Sequence, residues 1–328
     1  MKFLLVGNYG VGNLGDELLR EYFLKAFPEV DWTVVSANHF EGGIVPRLPF
    51  GIRSFCMTPW WKTLSALRKS DGIVFGGGTL FTDSESVKAP LLWWWHAVWA
   101  WIFRKKSILA FQGIGPFRTR TGEWCSRWVL KHAEQTIVRD AKSFQRISGW
   151  MSKKCVQSFD PVISLFEKEK VRTHDERVKK VFIIIPRANS TDAFLESVRE
   201  IHQKTAGECR GVRILSLESA VPRERETCNV LAREFHATID TPRSFKELQD
   251  ALRDASFVIT QRYHGAVAAL GMGIPFVAIP QKEADKLAAI AGMHRDEALR
   301  QWKEGEAALR DAVHGNSGNR PETCGMRE

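Results

Sequence analysis

Arg262 and His264 stand two residues apart in Thr260-Gln-Arg-Tyr-His264, directly after the apolar run Ser256 to Thr260. Histidine is the side chain best matched to moving a proton near neutral pH. Arginine can clamp a carboxylate or phosphate through two parallel hydrogen bonds. His264 opens the small-residue segment Gly-Ala-Val-Ala-Ala-Leu, and the N-terminus of such a helix also favours an anion. The plainer reading is a histidine that caps the helix and an arginine on the surface. Arg187, after a second apolar run from Val181 to Ile185, weighs toward an anion site. Near the start, Gly7-Asn-Tyr-Gly-Val-Gly-Asn-Leu-Gly-Asp-Glu17 offers Asn8, Asn13 and Asp16 as hydrogen-bonding or proton-accepting groups.

The same loop spells Gly-x-Gly-x-x-Gly at Gly10, Gly12 and Gly15, which after a strand and before a helix is a dinucleotide fingerprint. Its next two residues argue otherwise. Asp16 and Glu17 occupy the helix N-terminus where a pyrophosphate would sit, and their charge repels one. The second strand ends Val34 to Asn38 without the acid that would hold a ribose. The remaining readings are a glycine-rich turn capped by Asn13 or Asp16, and a substrate loop. Gly76-Gly77-Gly78-Thr79 is either a cradle of successive backbone N–H groups for an anion or a tight turn needed for packing. Gln112 heads Gln-Gly-Ile-Gly-Pro116, a turn that brings backbone near a ligand, and Arg139 heads Arg-Asp-Ala-Lys-Ser143; both are candidate contacts.

The elements that would hold these groups alternate along the chain. Apolar runs predict strands at 2–6, 32–36, 72–75, 107–111, 135–138, 155–159, 181–185, 212–216, 256–260 and 275–279. Between them lie helical segments at 16–27, 60–69, 88–103, 119–133, 140–150, 192–205, 224–234, 243–254 and 264–272. Such alternation implies parallel sheets with crossover helices. Each unusual cluster follows a strand, and open α/β sheets bind ligands at the carboxyl ends of their strands. Clusters from both halves therefore predict a cleft between two facing sheets. The charged stretch 167–180 is expected to join an N-terminal domain, 1–170, to a C-terminal one, 178–315. A final amphipathic helix at 296–313 and a disordered tail at 316–328 complete the expectation.

The bulk numbers narrow the function classes. The 328 residues carry a net charge of +9, so the surface attracts anions. The basic residues are scattered, with no arm or block of the kind that binds nucleic acid, so a phosphate-bearing small molecule is the better partner. Six widely spaced cysteines without Cys-x-x-Cys predict free thiols and no zinc. That cysteine usage points to the cytoplasm, and the apolar run Phe3 to Val6, with Asp16 and Glu17 soon after, is too short to read as a signal peptide. Ala89 to Phe103 holds Trp93, Trp94, Trp95, Trp99 and Trp101. It falls short of the ~20 residues of a spanning helix, so it is either buried or, with Arg104-Lys105-Lys106 behind it, a peripheral contact with the inner face of a membrane.

In combination and order these motifs resemble the polysaccharide pyruvyl transferases. The pattern is Gly-x-x-Gly-x-Gly-Asn-x-Gly-Asp-Glu at Gly7 to Glu17, then Gly-Gly-Gly with a following Asp at Gly76 to Gly78 and Asp83. Gln-Gly-Ile-Gly-Pro at Gln112, Arg-Asp-x-x-Ser at Arg139 and Asp-Pro at Asp160 come next, then [Ser/Thr]-x-Arg-x-His at Thr260, Arg262 and His264, with Gly-Ile-Pro at Gly273. The match runs over roughly residues 1 to 292. There are two departures: Thr260 stands where Ser is more usual, and the loop holding Lys282 lacks the Tyr often found before the Lys. The resemblance implies an α/β fold of two Rossmann-like domains facing a cleft, like the GT-B glycosyltransferases. It implies transfer of a pyruvyl group from phosphoenolpyruvate to a sugar of a cell-surface polysaccharide or its lipid-linked precursor, as a cyclic ketal. Phosphoenolpyruvate is the donor substrate, with no cofactor and no metal. Arg262 and His264 fall to donor binding and catalysis, and Arg187 matches an arginine at the start of the second domain. Arg262, Arg187 and Arg139 are then expected to neutralise the donor on the C-terminal side. His264 is the expected general acid or base, and Asp16, on the acceptor side, is expected to activate a hydroxyl. The competing expectations are a nucleotide-sugar glycosyltransferase, an NAD(P)-dependent reductase and a non-catalytic membrane-associated binding protein.

Overall fold

A computed structural model of the chain describes residues 1–38, 42–84, 86–150, 155–167, 181–205, 209–281 and 287–315. The charged linker after Glu167, Lys282, the expected tail 316–328 and Cys324 lie outside the described residues.

The first unit runs β1 (Lys2–Val6), α1 (Leu14–Ala26), β2 (Asp31–Ser36), β3 (Ile44–Pro46), α2 (Ile52–Met57), α3 (Trp61–Lys69) and β4 (Gly72–Phe81). It continues with α4 (Lys88–Ile102), β5 (Lys106–Ile114), α5 (Arg120–His132), β6 (Gln135–Val138), α6 (Ala141–Ser148), β7 (Cys155–Gln157) and a 3-10 turn, Pro161–Phe166. The second unit comprises β8 (Val181–Ile185), α7 (Asp192–Thr205), β9 (Gly211–Leu215), α8 (Pro222–Phe235), β10 (Thr238–Asp240), α9 (Phe245–Leu252), β11 (Ala255–Thr260), α10 (Tyr263–Met272) and β12 (Phe276–Ala278). Two more helices close the described chain, α11 (Leu287–Ile290) and α12 (Arg295–His314).

The strands form two sheets, ordered β3-β2-β1-β4-β5-β6-β7 and β10-β9-β8-β11-β12, and every pairing is parallel. Parallel strands covered by helices on both faces read as continuous apolar runs, and Phe3–Val6 and Phe182–Ile185 are buried throughout. In each sheet the chain starts near the centre, builds to one edge, then returns to build the other. The order reverses between β1 and β4, and again between β8 and β11. Such switch points open a crevice at the carboxyl ends of the strands. The Asn8–Asp16 loop leaves one, and Arg187 and His264 follow the strands of the other.

The differences from the sequence expectation that bear on the site lie in the edge strands, the glycine-rich strands and the last helix. The edge strands β3 and β10, three residues each, carry too little alternation to register as strands. β4 and β5 run on through their glycines, because Gly76 pairs with Ala110 and Gly78 with Gln112. The last helix, expected with the second unit, returns to the first. Lys106 Nζ donates to the carbonyls of Ala312 and Val313 at 2.9 and 3.0 Å. Trp302 and Glu306 meet the Tyr22 hydroxyl, and Gly305 lies against Ser158, where a Cβ would come within 2.2 Å of the hydroxyl. An amphipathic pattern states that one face is buried, not which sheet buries it. As a result one core is continuous from Phe3, Tyr22 and Phe111 through Val162 and Phe166 to Ile183, Val258 and α10.

Candidate active site at the junction of the two sheets

The first loop touches the second unit along its length. Leu14 N donates to Leu217 O at 2.9 Å, and a Cβ on Gly12 would stand 3.0 Å from Ala220 Cβ. His264, second residue of α10, packs on Gly15, where a Cβ would fall 1.8 Å from its Nδ1. The third glycine of the fingerprint therefore makes room for a histidine from the other sheet. Asn13 caps α1 by accepting from Gly15 N at 3.0 Å. Glu17 accepts from Gly10 N at 2.7 Å, so the loop's own carboxylate occupies a donor that a pyrophosphate would need.

Behind His264 lies a buried ionic cluster. Arg139, at the end of β6, donates to Asp160 Oδ2 at 2.5 Å and to Thr79 Oγ1 at 2.7 Å. Its guanidinium carbon lies 4.5 Å from the centre of the Tyr263 ring. Asp160 caps the 3-10 turn, accepting from Val162 N at 3.1 Å, and His264 Nε2 stands 3.6 Å from its Oδ2. Burial works against ionisation of Asp160, but the facing His264, Arg139 and the Val162 N–H outweigh it and hold the carboxyl well below the usual range. Asp160 is thus a fixed negative charge on one side of the imidazole, with Nδ1 turned toward Gly15.

On the first-sheet side a second polar chain runs to the loop. Asn8 Nδ2 donates to Asp16 Oδ2 at 3.2 Å, and Arg47 Nη2 donates to Asn8 Oδ1 at 3.0 Å. Burial lowers the Arg47 pKa to about 10, against the opposing pull of Asp16, so the guanidinium stays charged at neutral pH. Arg47 was not among the sequence candidates, because it follows the unrecognised strand β3.

Arg262 is placed differently from the expected substrate clamp. Its Nη2 is shared by two carboxylates of its own unit, the buried Glu224 and, at 2.6 Å, Glu218. Glu224 also accepts from Ser216 Oγ at 2.9 Å and Glu218 N at 2.8 Å. Thr260, in place of the usual serine, keeps the hydroxyl that accepts from Arg262 N at 2.9 Å. Arg187 is half-buried at the end of β8, its Nη1 3.3 Å from Gln281 Oε1.

Several motif residues hold backbone in place. Gly76–Gly78, expected after the strand as an anion cradle or a tight turn, lie buried inside β4, and Gly77 and Gly78 have φ of 79° and 81°. A Cβ on Gly77 would reach 2.7 Å from Leu19 of α1, and one on Gly78 3.5 Å from Asp16 Oδ1. The glycines therefore let α1 settle on the strand and form a floor beneath Asp16. Gln112, expected to face substrate, is buried, and its amide donates to the carbonyls of Phe75, Gly77 and Ala110 at 2.9, 3.1 and 3.2 Å. It bridges the strand's irregular stretch instead. Asp140 caps α6 through Ser143 N, and the Ser143 hydroxyl accepts from Ile114 N at 2.9 Å. Asp83 accepts from Arg118 N, Thr119 N and the Thr119 hydroxyl.

The tryptophan-rich helix α4 is mostly inside. Trp93 is buried and lies under the Arg47 guanidinium, 5.1 Å from ring centre to carbon. Trp94, Trp95 and Trp99 are half-buried, with Trp94 against Trp124 and Trp128 of α5. Trp101 alone of the five is exposed. Among the described residues no helix is long and apolar enough to cross a membrane, and no group of three or more His, Cys, Asp or Glu could hold a metal ion.

The two-sheet architecture has counterparts among solved structures. The UDP-GlcNAc 2-epimerase of Methanocaldococcus jannaschii aligns over 96% of this chain and 100% of its own, with 12% identity and a TM-score of 0.59. Staphylococcus aureus MnaA, solved with UDP, aligns over 99% and 100% with 11% identity and a TM-score of 0.58. A 2-epimerase from Listeria monocytogenes described as putative covers 95% and 88% with 12% identity and a TM-score of 0.56. At such identities the likeness shows the fold, which is GT-B: two Rossmann-like domains facing a cleft. The sequence has no match among proteins of curated function. The family profile described as polysaccharide pyruvyl transferase matches residues 13–283, from the cap of α1 to beyond β12. The chain belongs to the polysaccharide pyruvyl transferase family.

Proposed function

We propose that this protein transfers the pyruvyl group of phosphoenolpyruvate to a sugar of a cell-surface polysaccharide or its lipid-linked precursor, closing a cyclic ketal and releasing phosphate. The observation that carries the reading is His264 of the second unit seated on Gly15 of the first, with the ionised Asp160 behind it and Asp16 next in the chain. Family membership supplies the reaction class.

The residues divide into roles. Phosphoenolpyruvate, with its phosphate and carboxylate, takes the second-unit side of the junction, against Arg187, and against His264 in its charged form. His264, supported by Asp160 at 3.6 Å, gives a proton to the methylene carbon. Positive charge then develops at C2, and a sugar hydroxyl attacks there. Asp16, fixed by Asn8, accepts that hydroxyl's proton. A second hydroxyl of the same sugar displaces phosphate and completes the ketal, its proton leaving with the phosphate. Arg47 lies beside Asn8 and Asp16 and steadies charge on the acceptor side. Arg139 holds Asp160, and Arg262, tied to Glu224 and Glu218, fixes the start of α10; both are positioning residues in this reading. Preorganised charge of this kind commonly supplies the largest share of rate acceleration.

The test is incubation with phosphoenolpyruvate and a panel of free and lipid-linked oligosaccharides, with readouts of phosphate release and product mass. Pyruvylated product that disappears with His264→Ala supports the assignment. The GT-B fold also serves a nucleotide-sugar reading. Stabilisation against heating by UDP but not by phosphoenolpyruvate would favour that reading and remove the donor named here.

A further inference from the structure

The longest run of described residues in the first unit without a buried side chain is rich in exposed apolar groups. From Phe50 to Lys62 no side chain is buried, although the stretch is bracketed by buried Leu48 and Thr63. Its centre is α2, whose six residues bury nothing. Ile52 is 86% exposed, Met57 72%, Trp61 60% and Phe55 57%. Such side chains belong inside unless something covers them. The stretch is nonetheless held in place. Leu48 N donates to the buried His96 Nε2 at 3.0 Å, and Trp60 Nε1 donates to Phe55 O at 2.9 Å.

Charge identifies what covers it. Between Gly42 and Ser70 there is no aspartate or glutamate, while Arg53 and Lys62 flank the apolar side chains and Arg68 and Lys69 follow in α3. Protein interfaces deplete charge at their core. An apolar set with two aromatic residues, Phe55 and Trp61, and a rim of one positive sign matches the boundary of an anionic bilayer, where acyl chains take the former and headgroups the latter. The position fits as well. Arg47, one residue before Leu48, reaches Asn8, and Asn8 reaches Asp16. The rim therefore lies beside the acceptor end of the candidate site.

We propose that the Phe50–Lys62 rim docks this protein on an anionic lipid bilayer, in place of the tryptophan helix α4, and that docking presents a lipid-linked acceptor to Asp16. The second half rests on the transfer reading above; the docking does not.

The experiment is co-sedimentation with vesicles of equal parts phosphatidylglycerol and phosphatidylcholine, against pure phosphatidylcholine. The full chain should bind the mixed vesicles and lose affinity as salt rises. The double variant Ile52→Asp/Phe55→Asp should bind at least about tenfold more weakly, each exposed charge costing the apolar contact. Arg53→Glu/Lys62→Glu should weaken binding to mixed vesicles only, and Trp101→Asp should leave it unchanged. Light scattering and melting of the variants report association and folding. Docking is overturned if the full chain ignores both vesicles, if the α2 variants bind like the parent, or if the parent is a dimer that the α2 variants dissolve. Where the parent docks, Ile52→Asp/Phe55→Asp should keep the parent's turnover on a soluble oligosaccharide and lose it on a vesicle-borne acceptor. Failure of the parent on both acceptors, with vesicle binding retained, overturns the transfer reading and leaves docking standing.

Discussion

Among the described residues each unit buries one arginine just past the end of a strand, and the two meet their carboxylates in different ways. Arg139 has one carboxylate, Asp160, which it shares with His264 across the junction. Arg262 has two, Glu224 and Glu218, both from its own unit. The first cluster sets its buried arginine against a carboxylate that also faces an imidazole from the other sheet. The second sets its arginine against two carboxylates within one unit. The arginine beside the histidine in sequence is held by carboxylates of its own unit, while an arginine far from it in sequence shares a carboxylate with the histidine.

The strongest way to break this contrast is His264→Ala. Proton transfer by a positioned side chain is worth roughly 10²–10⁴-fold, so phosphate release should fall by about that factor while the melting temperature stays near that of the parent. An unchanged rate would move the chemistry elsewhere.

Next comes Asp160→Asn, which leaves Arg139 charged in a buried site and should cost about 3–5 kcal/mol in urea unfolding. The sign with pH follows from the lowered Asp160 pKa. Its stabilisation is complete above the ordinary carboxylate value of ~3.9 and is lost as pH falls through the lower folded value. The parent's advantage over Asp160→Asn should therefore be flat above that range and shrink below it.

Gly15→Ala sharpens the junction itself. The added methyl meets His264 Nδ1, and a displacement of that order costs about a hundredfold in rate. Turnover should drop by that factor with a much smaller loss of stability. Equal turnover would mean that the imidazole works from another position.

The smallest effects test the second cluster. Glu224→Gln should cost ~1–3 kcal/mol, because a buried acceptor of several hydrogen bonds is weakened. The partly exposed Glu218→Gln should cost under ~1 kcal/mol. Neither should shift the pH dependence of turnover. A shift with Glu218→Gln would bring Arg262 back into contact with substrate.

Much of the fold was legible because parallel strands buried on both faces announce themselves as apolar runs, as at β1 and β8. The edge strands β3 and β10 were not, and Arg47 was missed with the first of them. Glycine reads as a turn, so Gly76–Gly78 were expected beyond the strand; β5 and the Gln112 amide hold them within it. Histidine after a strand and aspartate at the start of a helix are legible as candidate chemistry, which is why the sequence offers His264 and Asp16. Asp160 stood in a quoted motif without a role, since nothing local to Asp-Pro shows that an imidazole from another sheet stands beside it. The partners of Arg262 lie 44 and 38 residues away, and no spacing rule links them.

By itself the sequence determined the strand and helix alternation, the family motifs and the clustering of polar residues at strand ends, because each depends on neighbours along the chain. Tertiary structure alone decided which charges meet. It turned Gly15 into a seat for His264, gave Asp160 to both Arg139 and His264, closed Arg262 with two glutamates and returned α12 to the first sheet. The physical reason is the same in each case: an ion pair or a close approach of a few ångströms depends on where distant segments are packed.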